Sequence, residues 1–219
     1  MTVLQHYWQC YHIMISHINI CRPGFGASCS LCCGSHNYRA SREEIEGLFI
    51  RRARIMKAYS RDFLIRKMIA YRSAMTGSYY VDPSNALFYI TVPALFQDCP
   101  RCPFVGFISR ERDTGCLLGR EDDLPGFRHE CFLNYRGKIF TCAARDELTD
   151  EEILYAARLT RDWFYYSILV HEAELLRLSI REYSVPEEVP PARREVLCRE
   201  LEERIATRRD LHAIHGYFS

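Results

Sequence analysis

The sequence lacks any apolar stretch close to the roughly 18 residues that a membrane-spanning helix needs. Its first twenty-one residues contain neither Lys nor Arg, and His6, His12 and His17 interrupt their apolar character. They therefore lack both the charged start and the continuous apolar core of a secretory signal peptide. These absences predict that the chain does not enter a membrane and resides in the cytoplasm, where cysteine thiols stay reduced.

A strong charge of either sign is also missing. The chain has 29 Lys and Arg against 28 Asp and Glu, a net charge of +1, so bulk charge indicates neither nucleic acid nor a membrane surface. The segment 42–74 is locally basic, and its Arg51, Arg52, Arg54, Lys57 and Arg61 could contact phosphates. We interpret it as a solvated helix face and do not expect nucleic acid as a partner.

Familiar catalytic signatures are absent as well: the sequence has no Gly-rich phosphate loop, no G-x-S-x-G and no H-E-x-x-H. Cysteine, in contrast, is abundant, with 11 residues. An odd number fits a complete disulfide framework poorly, and clustered cysteines in a reducing compartment usually bind metal or carry out redox chemistry.

Eight of the cysteines form two groups about seventy residues apart, Cys21, Cys29, Cys32 and Cys33, then Cys99, Cys102, Cys116 and Cys131. Each group contains a C-x2-C pair, in which a tight turn presents two thiolates to one metal ion while backbone amides donate to the sulfurs. The Cys99-Pro-Arg-Cys102 pair also resembles a thioredoxin-type motif, which is the less favoured interpretation.

The remaining cysteines, Cys10, Cys142 and Cys198, are isolated in the sequence and are predicted to be buried as small hydrophobic residues. Among the histidines, His36 and His129 lie near the cysteine groups. Each is either a ligand, a partner of a ligand, or a solvated loop residue, which we favour slightly. His212 and His215 are interpreted as a chance surface pair.

Two capping boxes mark helix starts, because a hydroxyl and a glutamate three residues later can satisfy each other's backbone amides. Ser41 and Glu44 predict a helix to about residue 74, and Thr149 and Glu152 predict one to about residue 183. A final charged helix is expected over 192–212, and strands are expected over 79–92 and at Ile139-Phe140.

The predicted fold is therefore α+β and mainly helical, with a small cysteine-rich loop and strand core and long flanking helices. Three parts are expected, an N-terminal extension over 1–20, a metal-binding core over 21–147, and a helical part over 148–219 that packs on the core.

The string Cys29-Ser-Leu-Cys32-Cys33-Gly34, followed by the helix opening at Ser41, resembles the CxxCxxCC family of zinc- or iron-chelating proteins, also called YkgJ-like cysteine-cluster proteins. Cys102-Pro103-Phe104, Gly115-Cys116 and Arg128-His-Glu-Cys131 resemble its later motifs, so the similarity covers roughly residues 21–135. The chain departs from the pattern in carrying Gly26 where the family has its first cysteine and in lacking the proline of the third motif.

The resemblance and the cysteine groups together predict a metal-binding cysteine-cluster protein that holds zinc or an iron–sulfur centre. Zinc needs four thiolates, or three with His36 or His129, and an iron–sulfur cluster takes four thiolates. The expected ligands are, in order of preference, Cys29, Cys32, Cys33, Cys102, Cys116 and Cys131, then Cys21 and Cys99.

Two alternatives stay open. One is an iron–sulfur redox enzyme or a protein-lysine methyl-transfer enzyme, the latter because flagellin lysine N-methylases carry a similar cysteine cluster. The other is a zinc-stabilised binding module. The expected partner is the metal ion, a protein partner is left open, and no membrane contact is expected.

Overall fold

A computed structural model describes residues 18–59, 63, 92–99, 101–102, 104–117, 140–213 and 215–218. Within these ranges the fold is mainly helical and of the α+β class, as predicted, with six α-helices and two small antiparallel sheets. The predicted strands before residue 92 lie outside the described residues. Among the described helices, none combines the length and apolarity that a membrane crossing requires.

The first described segment is a loop that contains a single 3-10 turn over Leu31–Cys33. Gly34 ends this turn with φ 74°, a left-handed conformation that costs glycine little, and its amide donates to the Leu31 carbonyl. Ala27 and Leu31 are fully buried, so the loop is fastened to the core by its apolar residues.

Helix α1, Arg42–Lys57, begins at the predicted capping box, in which the Ser41 hydroxyl and the Glu44 carboxylate each accept a backbone amide. It buries Ile45, Leu48 and Phe49. The helix ends at Lys57 instead of continuing to residue 74 as predicted. Beyond residue 59, the structure describes only Phe63 from that predicted extension, and it is helical.

Four strands of three residues each form the two sheets. Strands β1, Val105–Phe107, and β2, Thr114–Cys116, pair with Val105 opposite Cys116. Strands β3, Phe140–Cys142, and β4, Gly216–Phe218, pair with Cys142 opposite Gly216. The strand predicted at Ile139-Phe140 is therefore confirmed in its described part, while its partner at the C-terminal end was not predicted.

The last third is helical, but it is divided more finely than predicted. Its helices are α2, Ala143–Glu147, α3, Asp150–Thr160, α4, Trp163–Leu169, α5, Ala173–Glu182, and α6, Pro191–Thr207, followed by a 3-10 turn over Arg209–His212.

The single helix predicted over 149–183 is wrong, because the chain breaks twice within it. Arg161 adopts a left-handed conformation with φ 48° and ends α3. Asp162 then starts a new helix, since its carboxylate accepts the amides of Phe164 and Tyr165. The second break falls at Glu172, whose non-helical backbone, with φ −122° and ψ 62°, precedes α5.

One cluster of buried apolar residues takes members from both the loop-rich and the helical parts of the chain. The Trp163 ring of α4 lies 5.2 Å from the Phe49 ring and 5.8 Å from the Phe107 ring. The Tyr166 hydroxyl donates to the Ile20 carbonyl at 2.8 Å. Helix α4 therefore holds α1, β1 and the start of the described chain together.

Candidate metal centre

The Cys29 loop is fastened on two sides. The hydroxyl of the neighbouring residue Ser28 accepts a hydrogen bond from the Thr114 amide of β2 at 2.7 Å. The Ser28 carbonyl accepts one from the Ser167 hydroxyl of α4 at 3.1 Å. The Cys29 amide donates to the Cys21 carbonyl at 3.0 Å. These buried hydrogen bonds fix the backbone from which Cys29 and Cys32 extend.

The Cys29 sulfur faces a histidine from the end of α4. Its Sγ lies 3.8 Å from Nε2 of His171, a partly buried residue 142 positions away in the sequence. The His171 ring in turn lies 4.7 Å from the ring of His215, which precedes β4. Nε2 of His215 is buried and has no hydrogen-bond partner.

The Cys32 sulfur faces a third cysteine. It lies near Cys142, the last residue of β3, and each of the two thiols shifts the pKa of the other. It also lies 4.0 Å from the His215 carbonyl, which accepts the Ala143 amide at 3.1 Å. The pairing of β3 with β4 therefore places Cys142 and His215 beside the C-x2-C loop.

The proximity of the two thiols and burial set the charges of these groups. The neighbouring Cys32 thiol, together with the backbone amides of Arg145 and Ala144, lowers the pKa of Cys142 to about 6. The same proximity and burial raise the pKa of Cys32, and burial raises the pKa of Cys29. Burial and the nearby His215 lower the pKa of His171 to about 3, so this imidazole is neutral at pH 7.

We call Cys29, Cys32, Cys142 and His171 the thiol–imidazole cluster. Two ligands of one tetrahedral zinc ion are about 3.5–3.8 Å apart, given Zn–S near 2.3 Å and Zn–N near 2.0 Å. The distance of 3.8 Å between Cys29 Sγ and His171 Nε2 fits this spacing. Within the described part of the chain, no three Cys, His, Asp or Glu side chains are already arranged to hold a metal ion, so the cluster would need side-chain rotation to do so.

A buried carboxylate stands next to the cluster. The Glu172 side chain is only 6% exposed, and it pairs with Arg204 at 2.5 Å and with Arg208. A buried charge needs such partners to offset its lost hydration. Because both arginines lie at the end of α6, the ion pairs tie α6 to the residue that follows His171.

Three of the predicted ligands lie elsewhere around the hairpin of β1 and β2. The Cys102 amide donates to the Cys33 carbonyl at 2.9 Å, so these two residues are neighbours through the backbone. Cys116 ends β2 opposite Val105. The structure thus brings Cys33 and Cys102 together, while the adjacent Cys32 extends toward Cys142.

The other predicted ligands are dispersed. Cys21 is exposed beside Cys29. Cys99 is buried, and its sulfur lies 4.0 Å from both the Asp98 carboxylate and the Arg209 carbonyl. Cys131 lies outside the described residues, as do Cys10 and His129.

The histidines singled out in the sequence have structural roles. His36 is buried rather than solvated, with its two ring nitrogens hydrogen-bonded to the Ser35 hydroxyl at 2.8 Å and the Phe164 carbonyl at 3.0 Å. His212 is also buried, not on the surface, and its Nε2 donates to the Ile205 carbonyl at 2.6 Å. The predicted surface pair is therefore wrong.

Sequence reasoning missed two members of the cluster. Cys142 was interpreted as an isolated core residue, and His171 was not selected at all. No spacing rule could have selected them, because each is more than 100 residues from Cys29 and Cys32. The only signal is that Cys142 lies two residues after the predicted strand at Ile139-Phe140.

The basic face of α1 is smaller than its sequence suggests. Arg52 is buried, and it donates to the Val105 carbonyl and the Tyr38 hydroxyl, both at 3.1 Å. Arg52 therefore stabilises the contact between α1 and β1 and is not available to phosphate, whereas Arg51 and Arg54 are exposed.

A scan against protein-family models and searches of curated proteins and solved structures find no match to this chain.

Proposed function

We propose that this chain is a metal-binding cysteine-cluster protein in which Cys29, Cys32, Cys142 and His171 hold one metal ion. The observations that carry the proposal are the 3.8 Å approach of Cys29 Sγ to His171 Nε2 and the position of Cys32 Sγ, 4.0 Å from the His215 carbonyl, beside the end of β3 that carries Cys142. Three cysteines and one histidine form a donor set that is typical of structural zinc.

Protonation favours the same assignment. A metal ligand must present a thiolate or a neutral imidazole. His171 is neutral at pH 7 because its pKa is lowered to about 3, and Cys142 is the readily ionised thiol of the cluster, with a pKa of about 6. The buried Nε2 of His215, which lacks a hydrogen-bond partner, offers a further nitrogen donor beside the cluster.

The metal's proposed role is to cross-link the structure. It would join the loop of Cys29 and Cys32 to the end of β3 and the end of α4, where short strands supply few backbone hydrogen bonds. Metal binding contributes directly to folding when the ligands come from separate segments. Reduced thiols are required, so we place the protein in the cytoplasm.

The resemblance to the CxxCxxCC family stays a prediction. It agrees with the proposal in the role of Cys29 and Cys32. It differs in the other ligands, because the family's later motifs fall on Cys102 and Cys116, near the β1–β2 hairpin.

The proposal is tested by metal analysis of protein purified anaerobically in reductant. We expect one zinc per chain in the wild type and in Cys198→Ser, a cysteine whose side chain lies outside the cluster near Asp162 and Glu202. Cys142→Ser and His171→Ala should lose most of the metal, since each removes one of four ligands.

Iron with acid-labile sulfide, lost in the same two variants, would instead assign an iron–sulfur cluster to these ligands and favour the enzyme alternative. A folded wild-type chain that binds no metal would contradict the proposal.

A further inference from the structure

Helices α5 and α6 leave a groove of about 560 Å³ between them on the surface of the helical part. Apolar side chains from both helices line the groove, and two of them are open to solvent. Leu178 of α5 is 53% exposed, and Val196 of α6 is 39% exposed. Apolar residues that are left open to water and rimmed by charged ones mark a surface where another protein can bind.

Two charged residues of α5 flank Leu178 along this groove. Glu174 lies four residues before it and Arg181 three residues after it, and residues at these spacings share one face of an α-helix. All three line the groove, and both charged residues are exposed. Neither charged side chain has an ion pair or hydrogen bond with any residue that the structure describes.

The other charged residues of the groove are paired within the chain, Arg193 with Glu182 at 2.7 Å and Arg204 with Glu172 at 2.5 Å and Glu200 at 2.7 Å. The groove therefore leaves one negative and one positive charge unused in its described part. These two charges lie on opposite sides of the exposed leucine, one near each end of α5.

This order of charges is the one that a two-fold symmetric contact requires. In such a contact, the same surface of both copies meets itself, so every pair of residues that touch occurs twice. When α5 packs antiparallel on the α5 of a second copy with Leu178 near the two-fold axis, Glu174 of each copy faces Arg181 of the other. One helix face then supplies two ion pairs around a central apolar contact.

We propose that α5 and α6 form the interface of a homodimer, in which two copies of this chain associate about a two-fold axis beside Leu178. The contact buries Leu178 and Val196, and burial of apolar surface supplies most of the affinity. The two ion pairs of Glu174 with Arg181 fix the antiparallel register, because any register that opposes like charges is repulsive. The inference does not depend on the metal site.

Charge reversal tests this register. The full-length chain is kept in reductant, so that no disulfide joins two copies, and its mass is measured by sedimentation over a range of concentrations. We expect the wild type and the control Arg54→Glu, at an exposed position of α1, to reach twice the monomer mass of 25.7 kDa. Glu174→Arg and Arg181→Glu should each dimerise at least about tenfold more weakly, because each opposes like charges twice.

Two rescue measurements separate a symmetric contact from a loss of folding. An equimolar mixture of Glu174→Arg with Arg181→Glu should form a heterodimer, because one chain then carries two positive and the other two negative charges at these positions. The double variant Glu174→Arg/Arg181→Glu should dimerise as the wild type does, because both signs are exchanged. Circular dichroism checks that each variant keeps the helical content of the wild type.

Two kinds of result would overturn the inference. One is a wild type that stays monomeric up to about 100 μM, where a dimer with a micromolar dissociation constant would be largely formed. The other is an effect of the charges that does not follow the symmetry. Single variants that dimerise as tightly as the wild type, or that are not rescued by mixing, would show that Glu174 and Arg181 do not oppose each other.

Discussion

At the scale of single residues, His36 shows how burial fixes the charge of a side chain. It lies in the core with partners for both nitrogens, and burial lowers its pKa from the ordinary 6.5 to about 3. The folded chain therefore keeps this ring neutral throughout the mildly acidic range. The unfolded chain takes up a proton there, because its histidine titrates near 6.5.

The free energy of unfolding should therefore fall as the pH is lowered from about 6.5 toward 3, at up to ~1.4 kcal/mol per pH unit for this one group. In His36→Asn, which can still form a hydrogen bond in this position, we expect a shallower decline. Urea unfolding of the metal-free chain between pH 7 and pH 5, with chelator and reductant present, measures both slopes.

The pH window separates the buried histidines from the carboxylates, and the comparison with His36→Asn separates His36 from His171 and His212, whose pKa values burial also lowers. Carboxylates with lowered pKa values, such as Glu152 and Asp210, destabilise the fold only below their ordinary values near 4. Equal slopes for the wild type and His36→Asn above pH 5 would show that His36 does not carry this dependence.

Residue-level prediction from the sequence was uneven. Cys29 and Cys32 could be selected as candidate ligands because their spacing is local, and their role in binding metal stays a prediction. The environment of His36 was not predictable, since Phe164 is 128 residues away in the chain.

At the scale of elements, Asp162 joins two helices. Its carboxylate caps α4 through the amides of Phe164 and Tyr165, and it also pairs with Arg42 of α1. The side chain is only 14% exposed, so the ion pair is screened less than one on the surface.

Replacing this residue in two ways separates the cap from the ion pair. Asp162→Ala removes both and should cost about 1–2 kcal/mol, because a lost N-cap alone typically costs about 1 kcal/mol. Asp162→Asn keeps a good capping group and should lose only the smaller contribution of the ion pair. Chemical denaturation of the reduced chain measures both. Equal losses in the two variants would show that the cap contributes nothing.

Capping boxes were readable in the sequence because they are local, and Ser41 and Thr149 both begin helices as predicted. The break after α3 was harder to predict from the sequence. It depends on a left-handed Arg161, an uncommon conformation for a residue with a side chain. The cap at Asp162 was available as a signal, but the continuous apolar pattern around it favoured one long helix.

At the scale of the whole molecule, the fold class followed from the sequence and the cluster did not. The apolar periodicity and the loop-rich cysteine segment were enough to predict a mainly helical α+β chain. The cluster depends on β3 pairing with β4, whose residues are about 75 positions apart, and on the end of α4 facing the Cys29 loop. Such contacts are set by tertiary packing and leave no spacing pattern.

The central claim is that three sulfurs and one nitrogen hold a single metal ion. X-ray absorption at the metal edge, on the reduced and metal-loaded wild type, tests it most directly. The account predicts about three sulfur neighbours near 2.3 Å and one nitrogen near 2.0–2.1 Å, with one sulfur replaced by a lighter atom in Cys142→Ser. A first shell made only of oxygen and nitrogen, or a sulfur count unchanged in Cys142→Ser, would contradict it.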